Sequence, residues 1–212
     1  MTENGSELIH EAELEAAQRL ALACEFRDDD TNQHAQRVGR TAGLLAAELG
    51  LPVDEVELIR HAAPLHDIGK IGIADSILLK PGRLRVDELA VMKTHTLIGS
   101  QILAGSRSRL LQVGEEIART HHERWDGRGY PVGIAGDDIP ITGRLTAVAD
   151  VFDALNFSRP YKEAWPLDAA LAEMELSAGR QLDPEIVALL RNLDHEALLG
   201  RVQPEEAAGA LP

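Results

Sequence analysis

The sequence is poor in cysteine and in aromatic residues, and it lacks long apolar runs. It contains one cysteine, Cys24, and only 3% aromatic residues. A single cysteine can form neither an intramolecular disulfide nor a thiolate metal cluster, which favours a reducing compartment. The chain has no run of about 18 apolar residues, and its first residues lack the basic and apolar regions of a signal peptide. These absences predict a soluble, cytoplasmic protein.

Positive charge is also scarce. The 212 residues include 21 Lys and Arg against 35 Asp and Glu, which gives a formal net charge of −14. A chain this acidic repels polyanions, so duplex nucleic acid and anionic membrane surfaces are poor candidates for its main partner. Small anions can still bind where positive charge is concentrated locally.

The sequence shows no alternating apolar pattern long enough for a sheet and no repeat of fixed period. Hydrophobic residues make up 44% of the chain, mainly Leu, Ala, Ile and Val, which is sufficient for a core. Apolar spacing and end signals predict helices over residues 6–26, 34–49, 54–65, 87–97, 115–122 and 143–155, and two more after Pro166 and Pro184. The predicted fold class is all-α.

One long segment interrupts the helical pattern. Residues 123–140 contain six glycines or prolines together with Asp and Arg. Such a composition predicts a loop, and a loop of this length inside a compact domain is usually functional.

The histidines are the most informative residues. Of eight in the chain, His10 and His195 have the acidic helical surroundings of surface residues. Burying several imidazoles among apolar neighbours is costly unless their nitrogens are satisfied. Five histidines and two aspartates occur on or at the ends of predicted helices: His34, His66, Asp67, His95, His121, His122 and Asp150.

These seven side chains predict a metal centre. Imidazole and carboxylate without thiolate suit Fe, Mn, Zn or Ni. Seven ligands exceed what one ion takes while leaving room for substrate, so they indicate two ions that share a carboxylate. Asp67 is the natural bridge, because it adjoins His66. Taken alone, any one of these histidines would be interpreted as a core or surface residue.

Lys70 follows Asp67 by three residues, which places its ammonium on the same side of the chain. A lysine there can supply positive charge to a phosphate oxygen during displacement. The alternative is a solvated lysine beside Gly69. Residues 121–131 match neither a zinc-protease nor a dinucleotide-binding pattern, and no phosphate-binding loop of the Gly-Lys-Ser/Thr type is present.

The segments LHDIGK, at residues 65–70, and HHERWDGRGYP, at residues 121–131, resemble the HD-GYP family of metal-dependent phosphodiesterases. The resemblance covers about residues 25–190. It implies an all-helical HD-domain bundle with a long GYP loop. It divides the chain into an N-terminal helix (1–25), the HD-GYP domain (26–192) and a short C-terminal helix with a frayed tail (193–212).

The resemblance also implies an activity. Family members hydrolyse cyclic di-GMP to pGpG, and some continue to GMP, with a hydroxide between two metal ions as the nucleophile. Two, or in some members three, divalent ions are expected, with Fe or Mn preferred. Asp30 matches the position at which some members place a glutamate that recruits the third ion.

Residue by residue, the resemblance assigns the seven His and Asp side chains as metal ligands and Lys70 as the catalytic lysine that contacts phosphate. Asp67 is counted with the catalytic residues because it bridges the ions. The substrate contacts that it implies are Tyr130, Asp153, Arg159 and Lys162. The structural alternative for Tyr130 is packing onto the helix bundle.

Two other functions stay open at this stage. One is hydrolysis of another cyclic dinucleotide or of a nucleotide phosphate. The other is a non-catalytic module that binds the messenger or a partner protein, although such a module would tolerate lost ligands and none is lost. The expectation for regulation is a partner chain, ligand supply or expression. The sequence leaves the oligomeric state open.

Overall fold

The computed structural model describes residues 3–27, 33–158 and 163–199, and this part of the chain is helical, as predicted. No strand forms within these ranges, where an isolated bridge pairs Ala178 with Leu182. The α-helices are α1 (Glu3–Glu25), α2 (His34–Glu48), α3 (Val53–Ala62), α4 (Asp75–Leu78), α5 (Val86–Lys93), α6 (His95–Leu103), α7 (Arg109–Thr120), α8 (Ile141–Asn156), α9 (Leu167–Ser177), α10 (Pro184–Leu190) and α11 (His195–Leu198).

Short 3₁₀ segments occur at Ala63–Leu65, Ile68–Gly72 and Gly136–Asp138. The first of them corrects the predicted helix over 54–65, because α3 ends at Ala62. Pro64 has no N–H to continue the α-helical hydrogen bonds, and the chain tightens there. His66 and Asp67 consequently lie between two 3₁₀ segments rather than within an α-helix.

The predicted helix over 87–97 is two helices, α5 and α6, separated at Thr94. Of the residues whose spacing suggested one apolar face, Thr96 is fully buried, whereas Leu89 and Leu97 are more than 40% exposed. None of the α5 residues is buried. The break makes His95 the first residue of α6.

Helix α2 lies at the centre of the bundle, between α3 and α8. Its small residues allow the close approach: a Cβ on Gly39 would lie 2.5 Å from the carbonyl oxygen of Arg60 on α3. Helix α7 is amphipathic, with Leu110, Val113, Ile117 and Ala118 buried on one face. This packing brings the ends of α2, α6 and α7 and the middle of α8 towards one another.

The loop over 123–140 is an ordered part of the structure. The buried Glu123 carboxylate accepts hydrogen bonds from the amides of Val132 and Gly133, at 2.8 and 3.0 Å. The loop amides of Trp125 and Asp126 donate to the carbonyl oxygens of Gln181 and Arg180. The loop is therefore fixed both to itself and to the turn between α9 and α10.

None of the described helices combines the length and the apolar character that a membrane span requires. Helix α11 falls within the predicted C-terminal segment, while the predicted frayed tail lies outside the described residues.

Candidate metal centre

The fold brings the seven predicted ligands to one place from distant parts of the chain. His34 begins α2 and His95 begins α6, while His121 and His122 follow α7. Asp150 lies on α8, and His66 and Asp67 occupy the tight segment after α3. Gly69 is required here, because a Cβ at this position would lie 1.8 Å from the carbonyl oxygen of His95. That contact holds Asp67 against the start of α6.

The seven side chains form two groups in which the ligand atoms lie within 4.8 Å of one another. One group consists of His34, His66 and Asp150, and the other of Asp67, His95, His121 and His122. Asp67 also lies between the groups: its Oδ2 is 3.2 Å from His66 Nε2, and its Oδ1 is 3.3 Å from His95 Nε2. This is the position that a carboxylate shared by two ions requires.

Four imidazoles are oriented by hydrogen bonds from their Nδ1 atoms. The acceptors are a carboxylate or carbonyl oxygens, so each Nδ1 carries a proton, and each Nε2 has a lone pair when the ring is neutral. The pairs are His34 with Asp153 at 2.6 Å, His66 with Ala63 O at 2.9 Å, His95 with Met92 O at 2.8 Å and His121 with Ile117 O at 3.1 Å. Hydrogen bonding of this kind is typical of histidines that bind metal.

Two atoms at the centre of the cluster indicate that it accepts a cation. His66 Nε2 and Asp67 Oδ1 are buried, and neither makes a hydrogen bond to any residue that the structure describes. A buried polar atom without a partner is costly. A divalent cation between the lone pairs would satisfy both atoms, so the residues present fit a metal centre.

The electrostatics favour the ligating forms of Asp67, His95 and His122. Burial would lower the pKa of His66, but the carboxylates of Asp67 and Asp150 together outweigh this effect and raise it to about 9, so an ion would displace a proton from this imidazole. Burial would raise the pKa of Asp67, but Lys70, whose Nζ is 2.8 Å from Oδ2, acts together with His66 and His121 to outweigh this effect and hold the pKa well below its usual value. Burial lowers the pKa of His95 to about 4 and also lowers that of His122. At neutral pH, Asp67 is therefore ionised and these two imidazoles are neutral.

Tyr130 lies against the cluster and not in the core of the bundle. Its ring stacks on that of His122, with the centroids 4.8 Å apart and the planes 29° apart. Gly129 makes this possible, since a Cβ there would lie 2.6 Å from His122 O and 2.4 Å from Arg124 N. Burial raises the pKa of Tyr130, so the phenol stays protonated and can donate a hydrogen bond.

Asp153 lies behind His34. Its side chain is almost fully buried, and it binds Arg37 as well, with 2.5 Å between Arg37 Nε and Oδ1. Burial would raise the pKa of Asp153, but the hydrogen bonds from His34 and Arg37 lower it. The predicted contact of Asp153 with substrate stays a prediction, and the structure shows its oxygens engaged by these two side chains.

Three predicted site residues, Asp30, Arg159 and Lys162, lie outside the described residues. Three others were missed by the sequence analysis. Arg37 follows His34 by three residues, a spacing that places both on one helix face and could have suggested a link. Nothing local in the sequence marks Glu123 as the residue that fixes the loop, or Lys93 as a neighbour of Tyr130.

The chain is similar to known proteins. A family model described as an HD domain matches residues 21–186. The chain is 52% identical over 202 residues to the cyclic di-GMP phosphodiesterase response regulator RpfG of Xanthomonas campestris pv. campestris (strain 8004). The matched residues make up 95% of this chain and 51% of that protein. It is 50% identical over 182 residues to a cyclic di-GMP phosphodiesterase of Thermotoga maritima, covering 86% and 50%.

A third relative carries a different specificity in its name. The 3′3′-cGAMP-specific phosphodiesterase 2 of Vibrio cholerae is 48% identical over 187 residues, which are 88% of this chain and 35% of that protein. The chain thus spans about half the length, or less, of these curated relatives.

Solved structures agree on the fold. A cyclic GMP-AMP-specific phosphodiesterase of V. cholerae superposes with a TM-score of 0.66 at 17% identity, covering 91% of this chain and 51% of that one. The HD domain of the L. monocytogenes phosphodiesterase PgpH superposes with a TM-score of 0.54 at 13% identity, covering 88% and 96%. At these identities the likeness establishes the fold, an HD-domain helical bundle.

Proposed function

Because this chain belongs to the HD-GYP family of HD-domain proteins, we propose that it is a metal-dependent phosphodiesterase that hydrolyses cyclic di-GMP to pGpG. The observation that carries the proposal is the meeting of six His and Asp side chains around the Asp67 carboxylate. A module that only binds a partner has no need of such a cluster. We also propose a cytoplasmic location, which the acidic composition and the single cysteine support.

The two groups of side chains support an assignment of ligands to each ion. His34, His66 and Asp150 would hold one ion, His95, His121 and His122 the other, and Asp67 both. When bound, two divalent ions activate water as a nucleophile and stabilise charge on phosphate oxygens. The absence of thiolate ligands leaves Fe, Mn, Zn or Ni, and among these we propose Fe or Mn, as the family resemblance implies. A third ion would involve Asp30.

The remaining side chains act on the substrate. Lys70 carries an ammonium beside Asp67, where it can donate to a phosphate oxygen whose negative charge grows during displacement. Tyr130 offers a neutral hydroxyl at the edge of the cluster. We keep Arg159 and Lys162 as predicted contacts to the guanine or phosphate groups.

A second substrate has a specific observation in its favour. The relative from V. cholerae at 48% identity is named for 3′3′-cGAMP. That molecule differs from cyclic di-GMP in one base, so the same phosphodiester chemistry would serve both.

The test is hydrolysis by purified protein reconstituted with Mn²⁺ or Fe²⁺, with cyclic di-GMP and 3′3′-cGAMP compared at equal concentration and pGpG detected by chromatography. We expect two or more ions per chain by elemental analysis and a higher kcat/KM for cyclic di-GMP. Protein that binds no metal, or that binds metal and cleaves neither dinucleotide, would contradict the proposal. A higher kcat/KM for 3′3′-cGAMP would favour the second substrate.

Lys70 provides a test of mechanism. Lys70→Met should lower kcat by about 10²–10³, the usual effect of removing a donor to a developing charge, while metal content stays near that of the wild type. Arg109→Gln is the matched control, because it removes one positive charge at the opposite end of α7 from His121, about 18 Å away. An unchanged kcat in Lys70→Met would make Lys70 a solvated surface residue.

A further inference from the structure

Among the residues that the structure describes, three cationic side chains contact either a predicted metal ligand or a residue that touches one. They differ in the groups that they bind. Lys70 is bound to Asp67 and Arg37 to Asp153. Lys93 is exposed, and no carboxylate of the described residues lies within ion-pair distance of it. Its contact is with the Tyr130 ring, whose centroid is 4.8 Å from Nζ.

The position of Lys93 is fixed by the backbone. It is the last residue of α5, and the chain turns at Thr94 so that His95 enters the ligand cluster. The Tyr130 ring that it contacts stacks on His122, another ligand. An ammonium with no carboxylate partner in the described part of the chain is therefore held at the edge of the cluster, in a protein whose net charge is −14.

The ammonium and the phenol together suit a phosphate. A cation–π contact at an exposed site is weak, so it orients the lysine without using its capacity to donate hydrogen bonds. The ammonium has three donors and carries a full point charge. The Tyr130 hydroxyl makes no hydrogen bond to any described residue and adds a further donor.

We propose that Lys93 binds the phosphodiester of the substrate that is not being cleaved. This inference rests on the proposed function: a cyclic dinucleotide has two phosphodiesters in one ring, so when one is at the metal centre the other lies one nucleotide away. Lys70 serves the reacting phosphate beside Asp67, and Lys93 lies on the side of the cluster formed by His122 and Tyr130. Lys93 thereby favours substrates with two phosphates over those with one.

The test separates this role from support of Tyr130. Lys93→Met keeps a flexible apolar side chain against the ring but removes the charge, and Lys93→Arg keeps the charge. The substrates are cyclic di-GMP and bis(4-nitrophenyl) phosphate, a diester with one phosphate. For Lys93→Met we expect KM for cyclic di-GMP to rise about tenfold, the value of one charge-assisted hydrogen bond, with kcat within about twofold of wild type.

The second substrate and the control variants complete the design. Lys93→Met should leave kcat/KM for bis(4-nitrophenyl) phosphate unchanged. Lys93→Arg should have a KM for cyclic di-GMP close to that of the wild type. Arg109→Gln should change neither. Equal losses on both substrates would assign Lys93 to the support of Tyr130 and overturn the inference, as would an unchanged KM for cyclic di-GMP.

Failure of the proposed function would look different. In that case the wild-type protein itself would cleave bis(4-nitrophenyl) phosphate and neither cyclic dinucleotide, and the inference about Lys93 would fall with it. A wild type active on cyclic di-GMP, with Lys93→Met indistinguishable from it, would overturn the inference alone.

Discussion

At the scale of single residues, His34 depends on a support that its own position does not provide. It is the first residue of α2, where a side chain has few neighbours from its own helix. Asp153 on α8 fixes the imidazole through Nδ1 at 2.6 Å, and Arg37 in turn holds Asp153. The Arg37 guanidinium lies over the Phe157 ring, 3.8 Å from its centroid. From these contacts we infer that Asp153 positions His34, the predicted metal ligand.

The prediction is that Asp153→Asn weakens metal binding at the group that contains His34. Removing such a support typically costs about 10- to 100-fold in metal affinity, because an amide can present its NH₂ to Nδ1 and no longer carries the charge that orients the ring. The measurement is Mn²⁺ affinity by competition with a chelator. Asp168→Asn, an exposed aspartate on α9, is the matched control and should bind Mn²⁺ like the wild type.

The opposite result is informative as well. If Asp153→Asn binds Mn²⁺ normally but has a raised KM for cyclic di-GMP, Asp153 contacts substrate, as the sequence analysis predicted. The two roles separate because one changes metal affinity without substrate and the other requires substrate.

The clustering of these His and Asp side chains could be predicted from the sequence, since histidines beside apolar residues are unusual and the family motifs are long. Their supports could not. The carbonyl oxygens of Ala63, Met92 and Ile117 become acceptors only because the backbone tightens or ends a helix beneath each histidine. Such contacts depend on backbone geometry, to which the identity of the acceptor residue contributes little.

At the scale of elements, the loop over 123–140 determines where Tyr130 lies. The loop returns onto its own start: the Tyr130 amide donates to His122 O at 3.2 Å, and Gly129 packs against the backbone of Glu123 and Arg124. The Glu123 carboxylate then binds the amides that follow Pro131. The turn is closed on both sides of the tyrosine.

We predict that Gly129→Ala displaces Tyr130 and lowers kcat/KM for cyclic di-GMP by tenfold or more. The new Cβ would lie 2.4 Å from Arg124 N and 2.5 Å from Glu123 Cα, so backbone must move. Gly136→Ala in the same loop is the control: its Cβ would meet nothing within 4 Å, and its φ of +54° costs only about 1–2 kcal/mol.

Activity and metal content should be measured together for both variants. Normal metal content with reduced kcat/KM in Gly129→Ala alone is the expected result. Equal activity in Gly129→Ala and the wild type would show that the position of Tyr130 does not affect turnover.

The helices were predictable where one face is buried and not elsewhere. Helix α7 covers Arg109–Thr120, so it begins six residues before the predicted start at 115 and ends before His121, and its apolar residues have the spacing of a single buried face. Helix α10 begins at Pro184 with Asp183 accepting a hydrogen bond from the Glu185 amide, as its sequence predicts. The prediction over 87–97 was wrong because the same spacing continues through Thr94 on a surface that is largely exposed. Periodicity identifies a face but does not show whether another element covers it.

At the scale of the whole molecule, the candidate metal centre joins segments that are far apart in sequence. Its predicted ligands come from α2, the segment after α3, α6, the end of α7, and α8, so they span residues 34–150. These side chains meet only in the folded chain. We therefore expect metal binding to be coupled to folding, so that the free energy of binding adds to the free energy of unfolding.

We predict that Mn²⁺ raises the melting temperature of chelator-treated protein by about 5–10 °C at a concentration of 100 Kd. Binding at that level stabilises the folded state by about 2.7 kcal/mol, and each kcal/mol shifts Tm by about 2–4 °C in a chain of this size. His122→Asn should reduce the rise in melting temperature, because it removes a predicted ligand. The His122 side chain makes no hydrogen bond to the described residues, so the substitution removes no other polar contact. His61→Asn, a histidine on α3 outside the cluster and near Glu57, should show the full rise. Identical melting curves with and without Mn²⁺ would contradict a metal centre at these residues, and equal shifts in both variants would place the ion elsewhere.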